Sequence, residues 1–245
     1  MRISRIHTPV PLAANSQITL NEKTSHYLLK VLRLKTGSQL ILFNGDGHQY
    51  RCKLISADKK TATVQTMEQS KKEQEPALNI HLGIGLSKGD RIDFAFQKAT
   101  ELGVSQITPL FTEFSTLKLN HERMQKKHEH WNGIIGSACE QSGRCYLPEL
   151  NKPHSINEWI RDNHAGCKIV LSPHATKTLD ACNTPEKLTI LIGPEGGLSE
   201  SEVEAAINQG FTKVRLGRHV LRTETAPIAV IAAAQALWGE FKIPS

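Results

Sequence analysis

The spacing of apolar residues divides the chain into a first part that predicts mostly strands and a second part in which strands and helices alternate. In the first part, strands are expected at residues 40–43, 50–55 and 61–67, and Asn44-Gly45 after the first of them is a hairpin signal. One helix interrupts the strands, and its apolar stripe consists of Tyr27, Leu28, Val31 and Leu32. Residues 1–70 are therefore predicted to form a small β-barrel with one helix.

A polar stretch that ends at Pro76 separates the two parts, so we place a linker at 71–77 and a second domain at 78–245. In that second domain the pattern predicts strands at 78–86, 169–171, 188–192 and 214–216, and helices at 90–102, 121–142, 199–209 and 225–241. Such alternation predicts an α/β domain, a mostly parallel sheet with helices on both faces.

The last predicted helix is apolar nearly all round from Pro227 to Trp238, with the proline in its first turn. A helix of this kind must be covered on every side. Either it lies at the centre of its own domain or a second copy of the chain covers it, and the pattern alone leaves both alternatives open.

Composition and charge indicate where the protein is expected to work and what class of partner it is expected to bind. The chain has 245 residues, 39% hydrophobic, and no apolar run near the roughly 20 residues that span a bilayer. Its five cysteines are scattered without a C-x-x-C pair, which argues against a disulfide framework and a zinc site and favours a soluble cytoplasmic protein.

Residues 1–70 hold ten Lys or Arg against four Asp or Glu, which accounts for the whole net charge of +6. A basic first domain is typical of contact with a polyanion such as nucleic acid, although a solvated basic surface would look the same.

Two loops that follow predicted strands are the strongest candidates for a site. Gly193-Pro194-Glu195-Gly196-Gly197 gives a sharply turned backbone that a ligand can approach closely, and Ser199 with Glu202 matches a capping box for the next helix. The segment 216–226 also lies between a strand and a helix and carries two arginines, a histidine and a glutamate. Strand carboxyl ends are where open α/β sheets bind ligands, so we expect the two loops to meet. By contrast, Gly83-x-Gly85-x-x-x-Gly89 is one residue too long for a dinucleotide loop.

The motif G-P-E-G-G-L-S at 193–199, followed by L-G-x-x-V-L-R-T-E-T-A at 216–226, closely resembles the knotted, or SPOUT, methyltransferases, and specifically the 16S ribosomal RNA uracil-N3 methyltransferases. Matching segments extend over essentially the whole chain and lie at 26–33, 43–47, 88–91, 97–104, 107–110 and 138–144. One position departs from the pattern, because the family commonly has arginine where this chain has His219.

The resemblance implies a trefoil-knotted α/β domain after a PUA-like RNA-binding barrel, a homodimer, and methyl transfer from S-adenosylmethionine to a uridine of the small ribosomal subunit. The cofactor would lie in the knot, held by Leu171, Ser172, Gly193, Pro194, Glu195, Gly196, Leu216, Gly217, Val220, Leu221, Thr223, Thr225 and Ala226. The RNA would contact Arg2, Arg5, Lys30, Arg33, Lys88, Arg91, Gln97, Glu101, Gln141 and Arg144.

The chemistry of a ring nitrogen singles out the turn Arg222-Thr223-Glu224. Uridine N3 carries a proton at neutral pH, so the site needs a proton acceptor or a cationic group that stabilises the uridine anion. We assign Glu224 to proton acceptance or substrate orientation and Arg222 to anion stabilisation. The alternative is that the two residues brace the knot, for example by capping the last helix.

Weaker candidates and rival functions complete the expectations. His128 and His130 lie in a charged helix, where surface placement is more common than metal binding, and Cys139 could be a nucleophile but fits better as a packed thiol. The rival functions are ribose 2′-O-methylation by the same fold and non-catalytic RNA binding in ribosome assembly.

Overall fold

The computed structural model describes residues 3–58, 61–70, 72–87, 89–115, 121–162 and 164–241, with the side chain of His121 excepted. The chain forms two compact units. Unit 1 comprises residues 1–75 and 136–147, and unit 2 comprises residues 76–135 and 148–245.

The expected domain boundaries need one correction. The break after Glu75 falls inside the expected linker, but the second domain is not one continuous stretch, because residues 136–147 belong to unit 1. Arg5 explains this, since its guanidinium donates to the carbonyl oxygens of Cys139 at 2.5 Å and Arg144 at 2.8 Å. A carboxylate oxygen of Glu73 also accepts the Cys145 amide.

Unit 1 contains a five-stranded sheet of order β1-β3-β4-β5-β2. The strands are β1 (Ser4–His7), β2 (Gln17–Thr19), β3 (Gln39–Phe43), β4 (Tyr50–Ala57) and β5 (Ala62–Gln69). The predicted hairpin is confirmed, since β3 and β4 pair antiparallel with Leu42 opposite Tyr50. The predicted helix begins earlier, as α1 (Glu22–His26), and continues as a π-helical turn (Tyr27–Val31).

Unit 2 contains a parallel sheet of order β12-β10-β11-β6-β7-β8, with β9 paired to β7. The strands are β6 (Asn79–Gly85), β7 (Gln106–Phe111), β8 (Glu149–Leu150), β9 (His154–Ser155), β10 (Cys167–Leu171), β11 (Lys187–Ile192) and β12 (Thr212–Val214). The helices are α2 (Arg91–Glu101), α3 (His121–Ser142, which ends in unit 1), α4 (Ile156–Trp159), α5 (Glu200–Asn208) and α6 (Thr225–Trp238). The predicted α/β class with a mostly parallel sheet is confirmed.

Strand β11 shows why the sheet is covered on both faces. Its side chains alternate between two apolar clusters, with Ile190 packed in the cluster that contains α2 and α6 residues and Leu191 in the cluster that contains Trp159 and Phe211. A strand buried on both faces has a nearly continuous apolar sequence, as residues 188–192 have apart from Thr189. Full burial of one such side chain contributes about 1.5–3 kcal/mol.

The scattered cysteines argue against a disulfide framework, and the structure departs from that expectation at one pair. Cys167 and Cys182 form a disulfide with their Cα atoms 6.0 Å apart, whereas Cys52, Cys139 and Cys145 are free and buried. The pair lies 15 residues apart without a motif, so only the fold brings the two thiols together. Among the described residues, no helix combines the length and the apolar character that a bilayer crossing requires.

Candidate active site

The loop that follows β11 is held in place by close main-chain contacts. A Cβ atom on Gly85 would lie 2.5 Å from Pro194 Cδ, and one on Gly193 would lie 2.7 Å from the carbonyl carbon of Gly197. Both positions therefore require glycine. The predicted capping box is confirmed, because Ser199 Oγ accepts the Glu202 amide and the Glu202 carboxylate accepts the Ser199 amide at 2.9 Å. These close contacts and hydrogen bonds restrict the conformation of the loop.

The Glu202 side chain also fixes a neighbouring loop. It is only 5% exposed, and its second carboxylate oxygen accepts the main-chain N–H of Glu113 at 2.7 Å. A buried carboxylate that accepts two main-chain hydrogen bonds is well satisfied. The loop after β7 is thereby tied to the loop after β11 at the carboxyl edge of the sheet.

The two loops predicted from the sequence do meet, together with a third loop after β10, around a cavity of about 520 Å³. Its volume is in the ordinary range for a small-molecule site. The expected cofactor residues that line it are Leu171, Ser172, Gly193, Pro194, Glu195, Leu216, Gly217, Val220, Leu221, Thr223 and Ala226. Two expected residues do not line it. Gly196 lies against Phe114 beside a second cavity, and Thr225 is exposed in the first turn of α6.

The main-chain N–H groups of the loop from Leu216 to Thr223 are left unpaired, whereas the Arg222 carbonyl oxygen accepts the amides of Thr225 and Ala226. Among the described residues, none of its N–H groups has a hydrogen-bond partner, although the Ser172 amide just before it is bonded to Val214 O at 3.0 Å. Protein main-chain groups are nearly always paired, with the chain, with water or with a ligand. A run of free donors along a cavity wall is suited to recognising a planar heterocycle or a carboxylate through the main chain.

Glu224 and Arg222 both line this cavity. Glu224 occupies the N-cap position of α6, yet its side chain makes no capping hydrogen bond, and its Oε2 atom is buried without a partner among the described residues. Arg222 is exposed, and in the described part of the chain the two side chains form no ion pair. These contacts do not support the bracing alternative. A buried, unsatisfied carboxylate oxygen is instead available to accept a proton or a hydrogen bond from a ligand.

A second, more open cavity of about 920 Å³ adjoins the first. Arg91 and Glu195 line both cavities and form an ion pair, with Arg91 Nη1 3.0 Å from Glu195 Oε1. Phe114, Ser115 and Gly196 complete its opposite wall. The exposed ion pair contributes little to stability and instead places a guanidinium at the boundary of the two cavities.

The structure gives Arg5 a role other than RNA contact. Its Nε donates to Gln49, its Nη atoms bind the main chain of residues 139 and 144, and its guanidinium lies 3.9 Å from the centre of the Phe43 ring. These contacts use the donors that a phosphate would need. Arg5 therefore stabilises unit 1.

The other expected RNA residues are distributed over both units. In unit 1, Lys30, Arg33 and Gln141 are exposed, and Arg144 is half-buried. In unit 2, Gln97 and Glu101 line neither of the two cavities just described, and Glu101 pairs with Lys98 at 2.8 Å. Arg2 and Lys88 lie outside the described residues.

The weaker candidates have structural partners. His128 Nε2 lies 3.2 Å from the carbonyl oxygens of Leu150 and Asn151, and His130 pairs with Asp93 at 2.7 Å. No group of three or more metal-ligating side chains is found within the described ranges. Burial raises the pKa of the Cys139 thiol to about 11, which excludes a reactive thiolate at neutral pH.

The first cavity is also lined by residues to which the sequence assigned no role, among them Pro173 and Arg215. Both lie within two residues after a strand end, where open α/β sheets bind ligands, so the strand boundaries carry the signal for them. Phe114 had no such signal, because β7 itself was not among the predicted strands.

Comparisons with known proteins agree with this geometry. Residues 73–235 match a family described as an RNA methyltransferase domain, and residues 20–67 match an RNA methyltransferase PUA domain. The chain is 38% identical over 243 residues to ribosomal RNA small subunit methyltransferase E of Buchnera aphidicola, covering 98% of each, and 31% identical to the Bacillus subtilis protein of that name, covering 85% of each.

Solved structures are similar over nearly the same length. A Legionella pneumophila protein in complex with the bound cofactor SAM superposes with a TM-score of 0.94 at 36% identity, covering 98% of this chain and 100% of the other. Ribosomal RNA small subunit methyltransferase E of Neisseria gonorrhoeae, bound to S-adenosyl methionine, gives a TM-score of 0.91 at 34% identity with the same coverage.

Proposed function

The chain belongs to the RNA methyltransferase family, and on that premise we propose that it transfers a methyl group from S-adenosylmethionine to N3 of a uridine in 16S ribosomal RNA. The observation that carries the proposal is the cavity at the carboxyl edge of the unit 2 sheet, which combines unpaired main-chain donors with the unsatisfied Glu224 carboxylate. The relatives named above are small-subunit methyltransferases, and solved neighbours hold the same cofactor.

The residues present fit that cofactor. The main-chain N–H groups of Leu216–Thr223 are suited to holding its adenine, and Leu171, Ser172, Gly193, Pro194, Glu195 and Ala226 complete the wall. When bound, S-adenosylmethionine supplies an electrophilic methyl sulfonium. Correct positioning of two reactants can contribute about 7–11 kcal/mol to lowering a barrier. We also propose that the chain is threaded here as a trefoil knot.

In the proposed reaction, Glu224 Oε2 accepts the N3 proton, or orients the base, and Arg222 stabilises the negative charge that develops on the uracil ring. Among the described residues Oε2 has no competing hydrogen bond, so it can take up the proton without breaking an existing contact. Arg222 is exposed at the cavity rim, where a substrate base can reach it.

The experiment that tests this proposal is nucleoside mass spectrometry of 16S ribosomal RNA after incubation with the protein and S-adenosylmethionine. Small subunits that lack the modification are the substrate, and 3-methyluridine is the expected product. A 2′-O-methylated nucleoside would instead support ribose methylation. Cofactor binding without any methylated nucleoside would support the non-catalytic alternative.

We propose that unit 1 contacts the RNA through exposed Lys30, Arg33 and Gln141, with Arg144 nearby in sequence. Deleting residues 1–70 would be a poor test, because the deletion would also remove Arg5 from its partners at 139–145. The double change of Lys30 and Arg33 to Ala is cleaner, and it should reduce the salt slope of RNA binding by about 2. Lys187→Ala, an exposed lysine of unit 2, is the control.

A homodimer working in the cytoplasm on the assembled small subunit completes the proposal. Helix α6 supports the dimer, because it buries Val230, Ile231 and Ala234 while Leu237 stays 45% exposed and several further apolar positions are half-buried. Light scattering should give twice the 27.2 kDa chain mass.

A further inference from the structure

Phe114 is an exposed aromatic side chain on a rigid support. The side chain is 44% exposed, and its Cβ atom lies so close to Gly196 that a Cβ there would come within 2.8 Å of it. The turn that carries it is closed by the Ser115 amide bound to Thr112 O at 3.0 Å and by Thr112 N bound to Ser115 Oγ at 3.1 Å. A single exposed phenylalanine is ordinary in a soluble protein, so exposure alone assigns no role.

The exposed side chain of Phe114 lies beside a cavity. It lines the cavity of about 920 Å³ that shares Arg91 and Glu195 with the cofactor cavity proposed above. The bond from Glu202 Oε1 to the Glu113 amide fixes the distance between the Phe114 turn and the Gly193–Ser199 loop. A planar group lying on Phe114 would therefore sit directly beside the methyl-donor cavity.

Arg91 supplies a polar complement to the aromatic surface. Of its five N–H donors, one is bonded to Glu195 within the described part of the chain, and its side chain is 51% exposed. Uracil presents two carbonyl oxygens on its ring edge, and guanidinium donors match such acceptors. The cavity thus offers one aromatic surface and one set of hydrogen-bond donors.

We propose that this second cavity receives the unpaired target uracil, with Phe114 as the stacking surface and Arg91 as a donor to its carbonyl oxygens. Proteins that act on a base take it out of its stack, and aromatic side chains replace the lost stacking. Phe114 is then a positioning residue that holds one face of the ring, while the N3 edge reaches the boundary with the first cavity, which Arg222 and Glu224 line. The inference rests on the proposed function, because it needs a methyl donor in the first cavity.

The test compares Phe114→Ala and Phe114→Leu with the wild-type protein in single-turnover methylation of undermethylated small subunits. Phe114→Leu keeps an apolar side chain against Gly196 but loses the flat ring, so it separates stacking from packing and remains usable if the alanine variant does not fold. Both variants should need roughly 5- to 100-fold more substrate for half-maximal rate, since stacking on one aromatic ring is lost. Phe114→Tyr should stay near wild type.

The matched control is Phe94→Ala. Phe94 is also 44% exposed but lies on α2 outside the lining of the cavity, and its loss should change neither substrate nor cofactor affinity. A readout independent of turnover is photocrosslinking of RNA that carries 5-iodouridine at the modified position, with the crosslink mapped by mass spectrometry to Phe114.

Leucine and alanine variants with substrate affinity within twofold of wild type, or a crosslink that maps away from the 112–115 turn, would overturn the inference and leave the proposed function intact. A wild-type protein that binds no S-adenosylmethionine in titration calorimetry would overturn the proposed function, and this inference with it.

Discussion

The two ends of the parallel sheet in unit 2 each carry a cavity with polar walls, but the pairing of the polar groups differs. At the amino end the histidine and asparagine side chains have partners, and Trp159 Nε1 is the one buried side-chain atom of the lining without a partner among the described residues. At the amino ends of the strands a cavity of about 380 Å³ is lined by His81, Asn151 and His164. His81 Nε2 and Asn151 Nδ2 each lie 2.8 Å from Thr108 Oγ1, and His164 donates to Trp159 O at 2.7 Å. Each of these side chains has a partner within the protein.

At the carboxyl ends the arrangement is the reverse. The main-chain N–H groups of Leu216–Thr223 and the Glu224 Oε2 atom have no partner among the described residues. Unsatisfied polar groups are costly in a folded protein unless a ligand or water completes them. Each cavity is therefore lined by one buried side-chain atom without a partner, and what distinguishes the carboxyl end is the run of unpaired main-chain donors beside the Glu224 carboxylate.

The largest expected effect comes from Glu224→Gln, which keeps the shape of the side chain and removes its charge. Turnover should fall about 10²- to 10⁴-fold, the usual contribution of a general base, while cofactor affinity and melting temperature stay nearly unchanged. Single-turnover methylation measures the turnover, titration calorimetry the cofactor affinity and scanning calorimetry the melting temperature. Glu200→Gln, an exposed acid in the first turn of α5, is the control. Near-normal turnover of the Glu224 variant would remove this residue from the chemistry.

The amino end should respond to acid instead. Burial, with the nearby His164, lowers the pKa of His81 to about 4 from 6.5. The unfolded chain therefore binds this proton at a higher pH than the folded chain does. The contribution of neutral His81 to the free energy of unfolding is complete above pH 6.5 and is lost as the pH falls toward 4. The free energy of unfolding should drop by about 2 kcal/mol between pH 7 and pH 5 on this account.

Urea unfolding at the two pH values measures this loss. His164, whose pKa burial also lowers, adds to it in the same direction. His81→Gln should unfold with a smaller difference between pH 7 and pH 5 than the wild-type protein. An unchanged difference would mean that His81 is not the group responsible.

A local loss of stability is expected where Glu202 ties the loop after β7 to the loop after β11. Glu202→Ala leaves the Glu113 and Ser199 amides without their acceptor, at a cost of about 1–3 kcal/mol. Thermal unfolding should show a lower melting temperature. Glu204→Ala, an exposed acid on the same helix, should melt as the wild-type protein does. Equal melting temperatures for the two variants would show that the Glu202 contacts do not hold these loops.

The local parts of this site could be predicted from the sequence. The run at 188–192, the glycine-rich turn after it, and the Ser199–Glu202 capping box lie within 15 residues, and local patterns specify them. The contacts that depend on the fold could not be predicted. Arg5 finds its partners 134 and 139 residues away, and Glu202 finds Glu113 across 89 residues. The short strands β1 and β2 were missed because they owe their form to pairing with β3 and β5.

The central claim, that the unpaired main chain at the carboxyl end holds S-adenosylmethionine, is tested most directly by amide hydrogen exchange with and without the cofactor. Without it, the amides of 216–223 should exchange rapidly, while those of β11 and the α5 capping box are already protected. Saturating cofactor should slow exchange at 216–223 at least tenfold and leave His81 and Thr108 at the amino end unchanged. Unchanged exchange at 216–223 under saturating cofactor would contradict the account.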